Sequence, residues 1–423
     1  MTLFRRRTRQ SHILFIFSLL VSLTTFRLEA QTERLTLNQC LSVALKENPL
    51  IKASEQKYQA ALARINQAKG ISQPTLNFDS DLQPDILDIR GSGESYVGVG
   101  KSLQFPGKRM IQTAIAMKES DEIIMEAELL KLDIIYQVKL AFYRLILNNE
   151  RLDYVEKNLV LAQDFLDKTQ VKFDAGDAAQ VDVIRAKVEV AKATSEIRMA
   201  SNEVIQTKAD LNFLLGRKNN NPFEIEKEIR YPVLLPDLEE LIHQALLNRP
   251  EIKRINYSLE KELLMKKQAS LSYLPDFDLG FSRHTIVGES KAWDLTVAFP
   301  VPLFFRQVSR GEIAEAKANY LSLQNELLNL QNNIHLEVES AYRNAVTAQN
   351  MISLFDRDML NQSEEVYNLL LFSYQEGEIS GIELIEARRT LIETRKSYAE
   401  ALFEYEAANI SIERSIGKSL ENK

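Results

Sequence analysis

Two long stretches of this chain contain almost none of the residues that interrupt a helix. No proline occurs in residues 107–221 or 303–423, and Gly176 is the only glycine in 108–215. Both stretches are rich in Ala, Glu, Lys, Leu and Gln, which favour helix. A helix of about 66 residues that rises about 1.5 Å per residue is roughly 100 Å long. No compact domain accommodates such a helix, so the sequence predicts a rod or part of a tube.

Apolar residues recur every seven positions along these stretches. The series are Val138, Leu145, Leu152, Leu159, Leu166 and Phe173, then Val183, Val190, Ile197, Val204 and Leu211, and finally Leu384, Leu391, Tyr398, Tyr405 and Ile412. A sustained seven-residue period predicts coiled-coil packing. The sequence therefore predicts one helical hairpin from helices at 108–173 and 178–215, and a second from helices at 307–374 and 379–416.

One fifteen-residue segment occurs twice, and both copies lie where the long helices break. Residues 173–187 read FDAGDAAQVDVIRAK, and residues 374–388 read YQEGEISGIELIEAR. Other matches at the same spacing of 201 residues, such as ALKENPLIK with ALLNRPEIK, extend the similarity over nearly the whole chain. This pattern predicts an internal duplication, with a first repeat at 31–222 and a second at 223–423.

Each repeat also contains two short segments in which apolar and polar residues alternate. These segments predict β-hairpins at 74–106 and 275–300, with prolines at their ends. One face of the first hairpin carries apolar residues such as Leu76 and Phe78, and the other carries polar residues such as Asp79. An apolar sheet face needs a cover, which is either more protein or lipid.

A membrane is the favoured cover, and a small soluble sheet at the end of a coiled coil is the alternative. Within a membrane no sheet edge can stay unpaired, so the sheet has to close into a barrel. Four strands per chain cannot close. Two chains would give eight strands around an interior filled by side chains, whereas three would give twelve strands around a lumen. A trimer follows if the protein conducts solutes.

The N-terminal segment and the overall charge predict an exported protein without a nucleic-acid partner. Residues 1–30 combine a basic start, a short apolar run and a small residue, Ala30, at the end, which is the order of a signal peptide. The whole chain has a net charge of −7, although the basic first segment contributes positive charge. An acidic mature chain lacks the basic face that nucleic acid requires. Cys40 is the only cysteine, so an intrachain disulfide is excluded.

These features together resemble the TolC-like outer membrane efflux proteins over essentially all of residues 33–417. The resemblance rests on the duplicated plan, the proline-flanked strand pairs and the motif F/Y-x-x-G-x5-D/E-x-hydrophobic-x-A at 173–186 and 374–387. The segment LQFPGKRM at 103–110 is similar to the heavy-metal, CzcC-like branch. The resemblance implies a mainly α-helical fold with a small β part. It further implies a homotrimer, whose helical barrel is continuous with a twelve-stranded β-barrel in the outer membrane.

The function that the resemblance implies is passive conduction through the outer-membrane duct of a tripartite efflux or secretion system. The strand barrel would contact outer-membrane lipid, and the helical barrel would cross the periplasm. Its far tip would dock on a periplasmic adaptor protein and an inner-membrane pump, and would be closed at rest.

The resemblance also assigns residues at that tip. Gly176 and Gly377 would form its tight turns, where a positive φ ends each helix. Glu383 and Glu386 match acidic residues that ring the closed pore; six carboxylates in a trimer would favour cations. The positions of Asp182 and Tyr374 match residues that latch neighbouring coiled coils. The family's arginine two residues after the second glycine is replaced here by Ile379, which puts that latch in doubt.

Basic residues follow the predicted hairpins, where they would meet lipid headgroups or simply solvent. They are Lys108, Arg109, Arg306 and Arg310. The histidines lack metal-ligand spacing, and no phosphate-binding loop is present. The sequence therefore predicts no catalytic residue, no metal, no cofactor and no enzymatic activity.

Two other classes of protein remain open on the sequence. A periplasmic membrane-fusion adaptor has a helical hairpin, usually a single one, and small soluble β domains. A coiled-coil scaffold would have no pore. The transported substrate is not determined by the sequence, which is compatible with metal cations, drugs or polypeptides.

Overall fold

The computed structural model describes residues 33–81, 93–226, 237–286, 288–289, 291–301, 303–355 and 359–419. The predicted signal peptide at 1–30 lies outside this part, as does Gly91 in the expected turn of the first strand hairpin. The side chain of Arg306 lies outside it as well.

The first half of the chain contains a three-residue strand, two shorter helices, two longer strands and two long helices. In order these are β1 Glu33–Leu35, α1 Leu37–Glu47, α2 Pro49–Lys69, β2 Thr75–Asp81, β3 Glu94–Leu103, α3 Lys108–Ala175 and α4 Gln180–Leu214. The second half repeats this order. It comprises β4 Phe223–Ile225, α5 Leu238–Asn248, α6 Pro250–Ser270, a 3₁₀ turn Leu271–Tyr273, β5 Phe277–Ile286, β6 Ala292–Ala298, α7 Phe305–Leu354, α8 Leu360–Glu376 and α9 Gly381–Ile416.

The long helices agree with the heptad prediction, with one difference. Helices α3 and α4 match the predicted pair at 108–173 and 178–215 to within two residues. The single helix predicted for 307–374 is described as two helices, α7 and α8, on either side of residues 356–358, which lie outside the described part.

The helices lie side by side in one layer four helices wide. Near the strands the helices follow the order α2, α3, α6, α7. Farther from the strands α4 packs on α3, and α9 packs between α3 on one side and α7 and α8 on the other. Heptad residues form the buried contacts in this layer: Val138, Leu145, Leu211 and Ile412 are fully buried. No helix in the described ranges combines the length and apolar composition needed to cross a membrane.

A small parallel strand pair, which the sequence reasoning missed, joins the start of the first repeat to the start of the second. Strand β1 pairs with β4, so that Leu35 lies opposite Ile225. Leu35 and Phe223 are buried in the same core as Val138 and Phe142. Three-residue strands carry too little alternation to be recognised in a sequence.

The other four strands form one antiparallel sheet in the order β2, β3, β5, β6. Directly opposed residues share a face, and the register places Leu76, Val99, Phe281 and Leu295 in one row across all four strands. The next row, Asn77, Gly98, Ser282 and Asp294, lies on the other face. The alternation predicted separately for each segment is therefore one apolar face and one polar face of a common sheet.

Candidate functional site

The apolar face of the sheet is exposed to a degree that is unusual for a folded protein. Leu76 is 79% exposed, Leu295 75% and Trp293 64%. Trp293 stacks on Phe281, with ring centroids 5.0 Å apart, so the exposed side chains form a continuous patch. A contiguous exposed apolar surface of this kind marks a region that a membrane or another molecule covers.

The polar face carries all the acidic residues of the described sheet. They are Asp79, Asp81, Glu94, Asp278 and Asp294. Lys101 and Arg283, the basic residues of these strands, lie in apolar-face rows instead. The polar face is therefore an acidic surface suited to water and cations.

Lys108 and Asp276 join the sheet to the helical layer. The Lys108 ammonium lies 3.0 Å from the Asp276 carboxylate, which also accepts a hydrogen bond from the Phe105 backbone N–H at 2.8 Å. The Lys108 side chain is only 17% exposed, so its charge is directed at the protein. Arg109 and Arg310 are exposed. Contact of these residues with lipid headgroups stays a prediction.

At the opposite end, each helical hairpin turns on a glycine in the left-handed conformation. Gly176 has φ +88° and Gly377 has φ +82°, as the sequence predicts. The following N–H groups reach back to the helix: Asp177 donates to the Lys172 carbonyl at 2.8 Å, and Glu378 donates to the Ser373 carbonyl at 2.9 Å. This pattern satisfies the last carbonyls of each helix and needs a residue that tolerates positive φ.

Tyr374 joins the two turns inside the chain. Its side chain is 5% exposed, its hydroxyl lies 2.9 Å from Thr169 Oγ1, and its ring packs on Phe165 with centroids 5.4 Å apart. Lys172 Nζ lies 4.6 Å from the centre of the same ring and also donates to the Tyr374 carbonyl. The end of α8 is thereby held against the end of α3.

Asp182 is not a partner of Tyr374 within the chain. Its carboxylate is 3.5 Å from Arg185 on its own helix. Ile379, which stands where the resemblance implies an arginine, packs against the apolar cluster around Tyr374. A latch between Asp182 and Tyr374 would therefore have to form between copies of the chain, and it stays a prediction.

The two acids assigned to the pore lie exposed on the first turns of α9. Glu383 accepts a hydrogen bond from the Ser380 hydroxyl at 3.0 Å, and Glu386 pairs with Arg389 at 2.9 Å. Residues three apart share a helix face, so both carboxylates are available on one side of the tip. The charge of Glu386 is partly balanced, which the sequence reasoning did not anticipate.

The largest feature that sequence reasoning missed is a buried ion cluster centred on Glu189 of α4. One carboxylate oxygen accepts from Arg388 at 2.6 Å, and the other accepts from Arg389 at 2.7 Å, both on α9. Lys192 adds a third cation at 3.3 Å. Glu189 is 8% exposed and Arg388 4%. The sequence contains one indication of this burial, because Glu189 lies on the same face of α4 as the buried residues Ala186 and Ala193.

This cluster is ionised at neutral pH. Burial raises the pKa of Glu189, but hydrogen bonds and charge from Arg389, Lys192 and Arg388 together hold it below its ordinary value of 4.5. A carboxyl group whose pKa is lowered by folding stabilises the folded state fully when the pH lies above the ordinary pKa. That contribution is lost as the pH falls through the lower pKa of the folded state. Changes of pH near neutrality therefore leave the cluster intact.

Across the described residues, no three His, Cys, Asp or Glu side chains lie together in a way that would hold a metal ion. The functional geometry consists instead of an exposed apolar sheet face, an acidic face behind it and a helical tip that turns at Gly176 and Gly377.

Comparison with known proteins gives one consistent result. The family described as "Outer membrane efflux protein" matches the chain twice, at residues 40–217 and 241–418. The cobalt-zinc-cadmium resistance protein CzcC of Cupriavidus metallidurans is 24% identical over 395 residues, covering 91% of this chain and 90% of that protein. The outer membrane protein TolC of Escherichia coli K12 is 19% identical, covering 94% and 85%.

Solved structures share the fold. The outer-membrane channel OprN superposes with a TM-score of 0.76 at 18% identity, covering 90% of both chains. The two family matches together span most of the chain, and each includes one pair of long helices and one pair of strands. The chain belongs to the outer membrane efflux protein family.

Proposed function

We propose that three copies of this chain form the outer-membrane duct through which a tripartite efflux system releases its substrate. The exposed apolar face of the four-stranded sheet carries this proposal. Lipid covers that face, and the acidic face lines a water-filled lumen. The helical layer continues the duct into the periplasm.

Copies of the chain join edge to edge. Strands β2 and β6 lie at the two edges of the described sheet, where their outer backbone groups have no strand partner. The helical layer likewise ends in α2 and α4 on one side and in α7 and α8 on the other. Both edges expose apolar residues, including Ile184 at 54% on α4 and Leu369 at 62% on α8. A head-to-tail contact that pairs the two edges closes into a ring, and three copies supply the twelve strands that leave a lumen.

The duct is passive and takes its energy from partners. An inner-membrane pump delivers the substrate, and a periplasmic adaptor holds the helical tip to the pump. The acidic lumen face and the name of the CzcC relative favour metal cations as the substrate class. Opening requires the hairpins at Gly176 and Gly377 to move apart.

Conductance in planar bilayers tests this proposal. The purified protein should require detergent and should open ion-conducting pores in the bilayer. An adaptor would stay in solution without detergent. A scaffold of the same fold would be assembled but electrically silent, and either outcome would contradict the duct.

Ion selectivity tests the tip acids. Replacing Glu383 and Glu386 together with glutamine should lower the cation-to-anion permeability ratio by about twofold or more, because six negative charges leave the narrowest part of a trimer. Glu224→Gln, at the short strand β4 away from the tip, is the matched control and should change nothing. An unaltered ratio in the double variant would show that these acids do not face the pore.

A further inference from the structure

We infer that Glu189 controls both the closure of the helical tip and the effective charge of the pore acid Glu386, acting through Arg388 and Arg389. This inference rests on the proposed function, because it assigns a role within the same tip. Glu189 is a positioning residue here: it lies behind the pore-facing acids and sets the arrangement of the groups that reach them.

The first observation is that Glu189 connects the two repeats. Helix α4 returns from the first turn and α9 from the second, and each carboxylate oxygen of Glu189 binds a different arginine of α9. The contact between Glu189 and Arg388 is nearly inaccessible to water. Separating the hairpins would leave both charges without a partner, and an unpaired buried charge is strongly unfavourable. The pair therefore favours the closed arrangement.

The second observation is that one guanidinium serves two carboxylates. Arg389 donates through Nη2 to Glu189 at 2.7 Å and through Nη1 to Glu386 at 2.9 Å. The positive charge that balances Glu386 is therefore shared with the buried acid. If Glu189 lost its charge, Arg389 would serve Glu386 alone and would cancel more of its field. If Arg389 lost its charge, Glu386 would act at full strength.

The third observation is that the cluster occurs once in each chain. The positions 201 residues away from Glu189 and Arg389 are Thr390 and Val188, so the other repeat cannot form the same bridge. The cluster is thus a specific contact between dissimilar hairpins and is not a by-product of the duplication. Two variants that remove charge from opposite sides of it should have opposite effects on selectivity.

The test compares Glu189→Gln and Arg389→Gln in bilayers with the wild-type trimer. Glu189→Gln should raise the resting open probability at least about tenfold and lower the cation-to-anion permeability ratio. Arg389→Gln should raise that ratio, because the Arg388 pair remains while Glu386 is unmasked. Glu196→Gln is the control, since Glu196 pairs with Lys396 at 3.4 Å between the same two helices but in a more exposed position. It should resemble the wild type.

The outcomes separate this inference from the proposed function. If the wild type conducts cations but Glu189→Gln has the same open probability and the same permeability ratio, the role inferred for Glu189 is wrong, whereas the proposed duct is unaffected. If the wild type forms no pore, the duct itself is wrong. Should Glu189→Gln fail to form a trimer, Arg389→Gln decides, because the Arg389 side chain is 48% exposed and its loss is mild. A permeability ratio that falls or stays constant in that variant would overturn the inference.

Discussion

Leu295→Arg is expected to remove the protein from the outer membrane, whereas Thr296→Arg should leave it there. The two positions are adjacent on β6 and lie on opposite faces of the sheet. Arginine on the lipid face near the middle of a membrane costs about 2–4 kcal/mol in each copy, and a trimer incurs that cost three times. Arginine on the lumen face stays in water and changes only the charge of the duct.

Membrane fractionation followed by native electrophoresis measures this difference. We expect Leu295→Arg to be degraded or soluble and Thr296→Arg to be a trimer in the outer membrane. Equal amounts of both variants in that membrane would mean that the apolar face does not contact lipid. Loss of Thr296→Arg alone would mean that the two faces have been assigned the wrong way round.

Leu152→Pro is expected to abolish the assembly altogether. Leu152 lies near the middle of α3, partly buried against the core that contains Val138 and Leu145. Proline there removes a backbone hydrogen bond and clashes with the preceding turn, at a cost of about 3 kcal/mol or more. Because α3 contacts five other helices of its own chain, the bend would displace them as well.

Gln180→Pro provides the control for this prediction. Gln180 is the first residue of α4, and Ala179 before it is extended, with ψ 148°. Proline is tolerated at such a position, and the chain already uses it at the starts of α2 and α6. Circular dichroism and native electrophoresis should show a normal trimer for Gln180→Pro and loss of the trimer for Leu152→Pro. A normal trimer from Leu152→Pro would contradict the continuous long helix.

Features encoded in local sequence patterns were predictable, and the structure agrees with them. A heptad that places Val138 and Leu145 on one side of a helix also buries them. A glycine between two such helices needs positive φ, and Gly176 and Gly377 have it. Alternation in a short segment such as β6 fixes which residues share a face before the strand partners are known.

Features that depend on contacts between distant residues were not predictable. Glu189 and Arg388 lie 199 positions apart, and nothing near Glu189 in the sequence identifies its partner. Lys108 was predicted from its place after a strand to meet lipid headgroups or solvent, and its contact with Asp276, 168 residues away, could not be foreseen. Charged side chains reach several ångströms in any direction, so their partners are decided by the packing of helices and strands. Local patterns do not contain that information.

An electron cryomicroscopy map of the purified protein in lipid nanodiscs would show directly how the chains assemble and what covers the sheet. We expect three chains, twelve strands closed around a lumen, and lipid density against the face that carries Leu76, Phe281 and Leu295. The acidic side chains of the same strands should face the interior. A monomer, or a sheet whose apolar face is covered by protein outside the lipid, would contradict the proposed duct.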